Sequence, residues 1–217
     1  MKFFIDTANI EQIREAASLG VLDGVTTNPS LMSKEKGEFR DILLQICSIV
    51  DGPVSAEIVS TEHEKMVPDA VELAGLHPNI VIKVPLIKDG VRTLKSLAEK
   101  GVNTNATLVF SSNQALLAAK AGATYVSPFI GRLDDAGHIG MDLVREIMTI
   151  YENYEFTSEV IVASVRSPLH VVDAALAGAH IVTMPFAVIE RMIKHPMTAA
   201  GLEKFLDDWK KWTGGGN

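Results

Sequence analysis

Short apolar, β-branched runs alternate along the chain with longer segments in which apolar residues recur every three or four positions. The first pattern predicts buried strands and the second amphipathic helices. Eight runs qualify as strands: Phe3–Thr7, Gly24–Asn28, Val54–Val59, Ile80–Pro85, Thr104–Val109, Tyr125–Gly131, Val160–Arg166 and Ile181–Pro185. Between them lie helical stretches such as "EQIREAASLG", "FRDILLQICSIV", "LVREIMTIYENY" and "LHVVDAALAGA". Boundary signals support several of these. Thr61 with Glu64 reads as a capping box ahead of Met66 and Val67. Ser167-Pro168 reads as an N-cap followed by proline in the first turn. Gly20, Gly101, Gly122 and Gly178 fall where helices should end.

Strands alternating with helices imply a parallel sheet with right-handed crossovers. Eight units of about 27 residues fill the 217-residue chain, and no linker divides it. The simplest closure is an α/β fold of one domain over residues 1–217, a (β/α)8 TIM barrel. One helix, residues 198–212, is left over from the eight units, and "TGGGN" at 213–217 reads as a flexible tail. An open, doubly wound sheet is the alternative. It would carry a glycine-rich phosphate loop, and neither GxGxxG nor GxxxxGK[ST] occurs.

Composition narrows the partners. With 47% apolar and 22% charged residues a packed core is expected, and a net charge of −7 argues against nucleic acid or an anionic membrane surface. The only cysteine, Cys47, excludes an intrachain disulfide, fits a reducing cytoplasm and lies on a helical apolar pattern as a small buried hydrophobe. "MKFFIDTANI" has too few apolar residues before Asp6 for a signal peptide, and no run approaches the roughly 20 apolar residues of a membrane span. His63, His77, His138, His170, His180 and His195 show no HxH or HExxH spacing, so no metal and no cofactor is expected.

In such a barrel the active site lies at the C-terminal strand ends. Polar side chains collect there: Asp6 after strand one, Thr26, Thr27 and Asn28 at the end of strand two, and Ser55 and Glu57 on one face of strand three. Lys83 falls within strand four and Asn105 and Thr107 in strand five. Ser127 and Phe129 are in strand six with Arg132 in the following loop, and Ser164 and Arg166 are in strand seven. The most informative is Lys83, within "NIVIKVP". A lysine among Ile and Val should have its charged form disfavoured by desolvation. Its neutral amine is a nucleophile suited to form a Schiff base with a ketone. A structural ion pair of Lys83 with Glu57 or Asp6 is the alternative, and the two are compatible in a resting enzyme. Glu57 is placed to move protons through a water that Thr107 helps position, and Asp6 to take the proton of a substrate hydroxyl. Asn28 and Asn105 suit substrate hydroxyls. Arg132, Arg166 and Ser164 suit a phosphate.

At these residues the chain resembles the transaldolase family, most closely its short bacterial and archaeal members, which include fructose-6-phosphate aldolases. "GVTTNPSLM" (residues 24–32), "IKVP" with Asp89-Gly90, "TNATLVFS", "YVSPFIGRLDD" and "ASVRSP" carry the resemblance, which runs from Asp6 to the C-terminal helix. It implies that Lys83 forms the Schiff base and that Asp6 and Glu57 handle protons. It also implies that Asn28, Asn105, Thr107 and Ser127 contact substrate or the catalytic water, and that Arg132, Ser164 and Arg166 hold the phosphate. Glu57 and Phe129 resemble transaldolases, where the aldolases carry Gln and Tyr. One departure is Ile87, where the family has Ser or Thr; Asp89 is expected to take over the capping of the next helix.

The implied activity is transfer of a dihydroxyacetone unit between sugar phosphates, in the pentose phosphate pathway and the cytoplasm. An aldolase releasing dihydroxyacetone is the nearest alternative, and a sugar-phosphate-binding barrel without turnover is another. The apolar stripe Leu202, Phe205, Trp209 and Trp212 packs either on its own barrel or on a neighbouring subunit. The resemblance implies the second: a homo-oligomer, as large as a decamer, whose subunits trade C-terminal helices.

Overall fold

The β-branched runs do become strands, and each lies beside the next in sequence. The computed structural model describes residues 1–214. Its first half contains β1 (Lys2–Asp6), α1 (Ile10–Ser18), β2 (Gly24–Thr26), α2 (Pro29–Met32), α3 (Phe39–Ile49), β3 (Val54–Glu57), α4 (His63–Ala74), β4 (Ile80–Pro85) and α5 (Lys88–Glu99). The second half contains β5 (Thr104–Val109), α6 (Ser112–Lys120), β6 (Tyr125–Pro128), α7 (Ile130–Asp135), α8 (Gly140–Asn153), β7 (Glu159–Val162), α9 (Pro168–Leu176), β8 (Ile181–Met184), α10 (Phe186–Ile193) and α11 (Pro196–Gly214). The eight strands are parallel and close into a barrel in the order β1 to β8, with β8 pairing back onto β1. This is the expected (β/α)8 barrel with an extra C-terminal helix.

Alternation along the strands divides the interior in two. Ile5, Val25, Val54, Ile80, Ile82, Val84, Val126, Val160, Val162 and Val182 face the helices and join their apolar stripes in one large core. Inside the barrel, Phe4, Ile161 and Ile181 form a separate cluster with Tyr125 packed against it. Gly24 makes room for that floor, since a Cβ there would lie 2.6 Å from the Phe4 ring. The next inward positions toward the strand C-termini, among them Asp6, Thr26, Lys83, Asn105, Ser127 and Thr183, are polar. Cys47 is buried in the outer core, as its helical pattern predicts.

Helix ends follow local chemistry, with exceptions. Ser167 caps α9 by accepting from the His170 N–H, and Pro168 opens the helix. Gly20, Gly101, Gly122 and Gly178 all adopt positive φ beyond helix ends. The predicted capping box does not form. Glu62 precedes α4 without a side-chain cap bond, and the His63 N–H instead donates to Asp89 of the neighbouring α5 at 3.4 Å. Asp89 therefore serves α4 and Arg92, and does not cap its own helix, where Ile87 at the N-cap makes no side-chain bond.

Six strands end earlier than their pattern predicts: β1 and β8 by one residue, β3 by two, at Glu57, and β2, β6 and β7 in ways that shape the site. β2 stops at Thr26, and Asn28 caps α2 by accepting from the Leu31 N–H at 3.0 Å. β6 stops at Pro128, which has no N–H for the ladder, and the chain coils at once into α7. Arg132 therefore stands on a helix and not in a loop. β7 stops at Val162, and Ser164 at φ 60° turns the chain out of the sheet. Helix α11 begins at Pro196 and includes Thr213 and Gly214, which the pattern assigned to the tail; residues 215–217 lie outside the described residues. None of its residues is buried, and Leu202, Phe205, Trp209 and Trp212 are exposed. Among the described residues no helix is long and apolar enough to cross a membrane, and no group of three or more His, Cys, Asp and Glu is placed to hold a metal ion.

Candidate active site

Parallel pairing of β3 with β4 sets Glu57 beside Lys83, and pairing of β4 with β5 sets Lys83 beside Asn105. Lys83 is 4% exposed, so its charge needs partners. It has two. Its Nζ donates to the Thr27 carbonyl at 3.0 Å and lies 3.2 Å from Glu57 Oε2. The amine is thus held on two sides, with a carboxylate in reach of its proton. The ion-pair alternative is present in this resting arrangement, and the same contact gives the amine a way to lose its proton.

Asp6 ends β1, half-buried at the barrel mouth. Its Oδ1 accepts from Thr26 Oγ1 at 2.8 Å, and Thr26 Oγ1 is 2.6 Å from Thr183 Oγ1. Burial pushes the Asp6 carboxyl above its ordinary range, while the Lys83 charge and the Thr26 hydrogen bond pull it partly back. A carboxylate that gains affinity for a proton suits reversible transfer with a substrate hydroxyl.

A second polar network crosses the barrel. Ser127 Oγ donates to Asn105 Oδ1 at 2.7 Å, and Asn105 Nδ2 donates to Ser55 Oγ at 3.1 Å, all three residues buried. Thr107 is completely buried, and its hydroxyl has no hydrogen-bond partner among the described residues. Such a group needs a polar partner, which a substrate atom or a water would supply.

Phe129 separates two cations. Its ring centroid lies 5.9 Å from Lys83 Nζ and 5.0 Å from the Arg132 guanidinium, and Phe110 packs edge-on at 5.8 Å. No carboxylate pairs with Arg132 among the described residues, whereas Arg166 is bonded to Asp135 at 2.7 Å. The Arg166 side chain runs over Gly131, where a Cβ would come within 2.6 Å of its Nε.

These groups meet at a cavity of about 90 Å³ lined by Asp6, Thr26, Asn28, Lys83, Ser127, Phe129, Arg132, Ala163, Ser164 and Thr183. It is small, and most of its lining side chains are polar. Seven residues singled out in the sequence therefore share one wall: Asp6, Asn28, Lys83, Ser127, Phe129, Arg132 and Ser164. Glu57 and Asn105 flank Lys83 in register, Thr107 lies level with Pro85, and none of the three lines this cavity; Glu57 and Asn28 border a groove of about 320 Å³ beside α2, α3 and α4. Arg166 does not line the cavity; its side chain lies against Gly131, the residue before Arg132. Because Asn28 Oδ1 is committed to its helix cap, its NH2 group is what it offers the cavity. In the sequence pattern Thr26 figures only as part of the polar end of strand two, with no role assigned, and Thr183 does not figure at all. Thr183-Met184-Pro185 repeats the polar–apolar–proline order of Lys83-Val84-Pro85, and that repeat was the available signal.

The family model described as transaldolase/fructose-6-phosphate aldolase matches residues 3–214. A protein named probable transaldolase from Thermodesulfovibrio yellowstonii is 60% identical over 211 residues, 97% of this chain and 99% of that protein. Proteins of the same name from Petrotoga mobilis and Geotalea daltonii are 59% and 58% identical, covering 98% and 97% of this chain and 96% and 99% of their own lengths.

Proposed function

Because the chain belongs to the transaldolase/fructose-6-phosphate aldolase family, we propose that it is a transaldolase working through a Schiff base on Lys83. It moves a dihydroxyacetone unit from a ketose phosphate, fructose 6-phosphate or sedoheptulose 7-phosphate, to an aldose phosphate, erythrose 4-phosphate or glyceraldehyde 3-phosphate, as in the pentose phosphate pathway. The observation that carries this reading is the buried Lys83 amine, 3.2 Å from Glu57 and opening on a cavity it shares with Asp6.

The placements support the following sequence of steps. Glu57 accepts the ammonium proton, and the free amine adds to the ketose C2 carbonyl. The carbinolamine loses water, with Glu57 returning the proton to the departing hydroxyl and the Thr107 hydroxyl holding that water. The iminium draws electrons from the C3–C4 bond as Asp6 takes the proton of the C4 hydroxyl. That bond breaks, the aldose phosphate leaves, and a neutral enamine stays on Lys83. Addition of the acceptor aldehyde reverses these steps, and Asp6 returns its proton to the new hydroxyl. Asn28, Asn105 and Ser127 hold hydroxyls along the chain of carbons. Arg132, at the cavity edge and without a carboxylate partner among the described residues, receives the phosphate with Ser164, and Arg166 backs that site from its pair with Asp135. Phe129 has no proton to give the enamine, so the three-carbon unit waits for an acceptor. This favours transfer over release of dihydroxyacetone.

The exposed stripe on α11 supports a homo-oligomer in which that helix is covered by another subunit.

Borohydride reduction with fructose 6-phosphate, read by peptide mass spectrometry, should leave a reduced three-carbon or six-carbon adduct on Lys83. Absence of any adduct would overturn the Schiff-base route. With fructose 6-phosphate alone, glyceraldehyde 3-phosphate should appear only in stoichiometric amount, and turnover should begin on adding erythrose 4-phosphate. Rapid turnover without an acceptor would assign the aldolase activity instead.

A further inference from the structure

Asp6 is supported from both sides of β1. Thr26 comes from β2, in register with Asp6, and Thr183 comes from β8, in register with Phe4. Each hydroxyl carries one hydrogen. Thr26 lies 2.8 Å from a carboxylate oxygen, so while Asp6 is ionised its hydrogen must point there. The 2.6 Å contact between the two threonines then has one solution, in which Thr183 donates and Thr26 accepts. The chain Thr183 to Thr26 to Asp6 is therefore directional. It occupies Oδ1 and leaves Oδ2, which accepts no hydrogen bond from any described residue, for the cavity.

We propose that Thr183 is a positioning residue for proton transfer: by donating to Thr26 it fixes the Thr26 hydrogen on Asp6 Oδ1 and so presents Oδ2 to the substrate hydroxyl. This rests on the role given above to Asp6 in carbon–carbon bond cleavage. Hydrogen bonds in series polarise one another, so the Thr183 donor strengthens the bond that Thr26 gives the carboxylate. The charged groups facing Asp6 across the cavity are Lys83 from β4, with Glu57 of β3 behind it, and Arg132 from α7. β2 and β8 add only hydroxyls. Thr183 is the buried end of the chain, 3% exposed, and acts on the carboxylate only through Thr26.

The test compares Thr183→Val and Thr183→Ser. Val keeps the β-branched shape and removes the donor; Ser keeps the donor. With the Val variant, kcat for transfer should fall about tenfold with KM within about twofold. The acid limb of its kcat profile should move up by roughly half a pH unit or more, because the carboxylate has lost support. A 13C titration of the Asp6 carboxyl in the free enzyme should move the same way. Ser should restore kcat to within about threefold, and the borohydride adduct on Lys83 should form in every variant. Thr183→Ala is the second donor-free variant should Val fail to fold. An unmoved pH profile in the donor-free variant, a change in KM alone, or a Ser variant no better than Val would each overturn the proposal. Loss of the Lys83 adduct in the unaltered enzyme would instead overturn the functional reading beneath it.

Discussion

Lys83 stood out in the sequence because a charge inside an Ile and Val run violates an expectation strong enough to notice. Thr183 did not, because threonine is at home in any strand and its importance arises from a neighbour on β2. Arg132 and Arg166 were indistinguishable as residues; only the fold shows that one meets Asp135 and the other does not. Asp6 carries a testable cost. Burial raises its carboxyl above the unfolded value, so the folded chain binds that proton more tightly. Ionisation of Asp6 then opposes folding: the penalty is absent below the unfolded carboxylate range, grows as pH rises through it, and is complete above the folded value. Asp6→Asn should therefore raise Tm at pH 7 while abolishing transfer, and the difference in Tm should shrink as pH falls below about 4. Parallel melting curves across pH check this; an equal difference at all pH values would contradict it.

At the scale of elements, all eight strands are legible as apolar runs; β4 and β5 are legible to both ends, whereas the other six stop short of the pattern. Periodicity reports which face is buried and says little about where a ladder stops. β6 ends at a proline and β7 two residues before a left-handed serine, at the place where α7 meets the β7–α9 connection through the Ile130 N–H, which donates to the Ala163 carbonyl at 3.1 Å. The capping box failed for a similar reason: Asp89 came from another helix to serve α4, a contact no local signal encodes. Gly131 is the point of closest approach, since a Cβ there would lie 2.0 Å from the Ser164 carbonyl oxygen. Backbone cannot yield as a side-chain tip can. Gly131→Ala should push α7 and its Arg132 outward, raising KM for phosphorylated substrates more than tenfold and destabilising the fold by about 1–3 kcal/mol. Steady-state kinetics and urea denaturation measure the two effects; unchanged KM would show that α7 does not position Arg132.

For the whole molecule, alternation of strand and helix over the full length left few topologies, and the missing phosphate loop selected closure over an open sheet. What the pattern did not decide is where the final helix goes. α11 has an apolar stripe with nothing buried along it, and its paired Trp209 and Trp212 rings, 5.0 Å apart, are exposed. Removing residues 198–217 should reduce the size of the particle in gel filtration while leaving the barrel folded by circular dichroism; an unchanged elution volume would place α11 on its own subunit. The ring has a seam, where β8 meets β1. The amine on β4 and its carboxylate on β3 are near neighbours in the chain, but Asp6 finds its full support only across that seam. A refolding chain can thus assemble its nucleophile early and reach full turnover only once the circle shuts, so the final rise of turnover in a refolding experiment is a clock for closure of that seam.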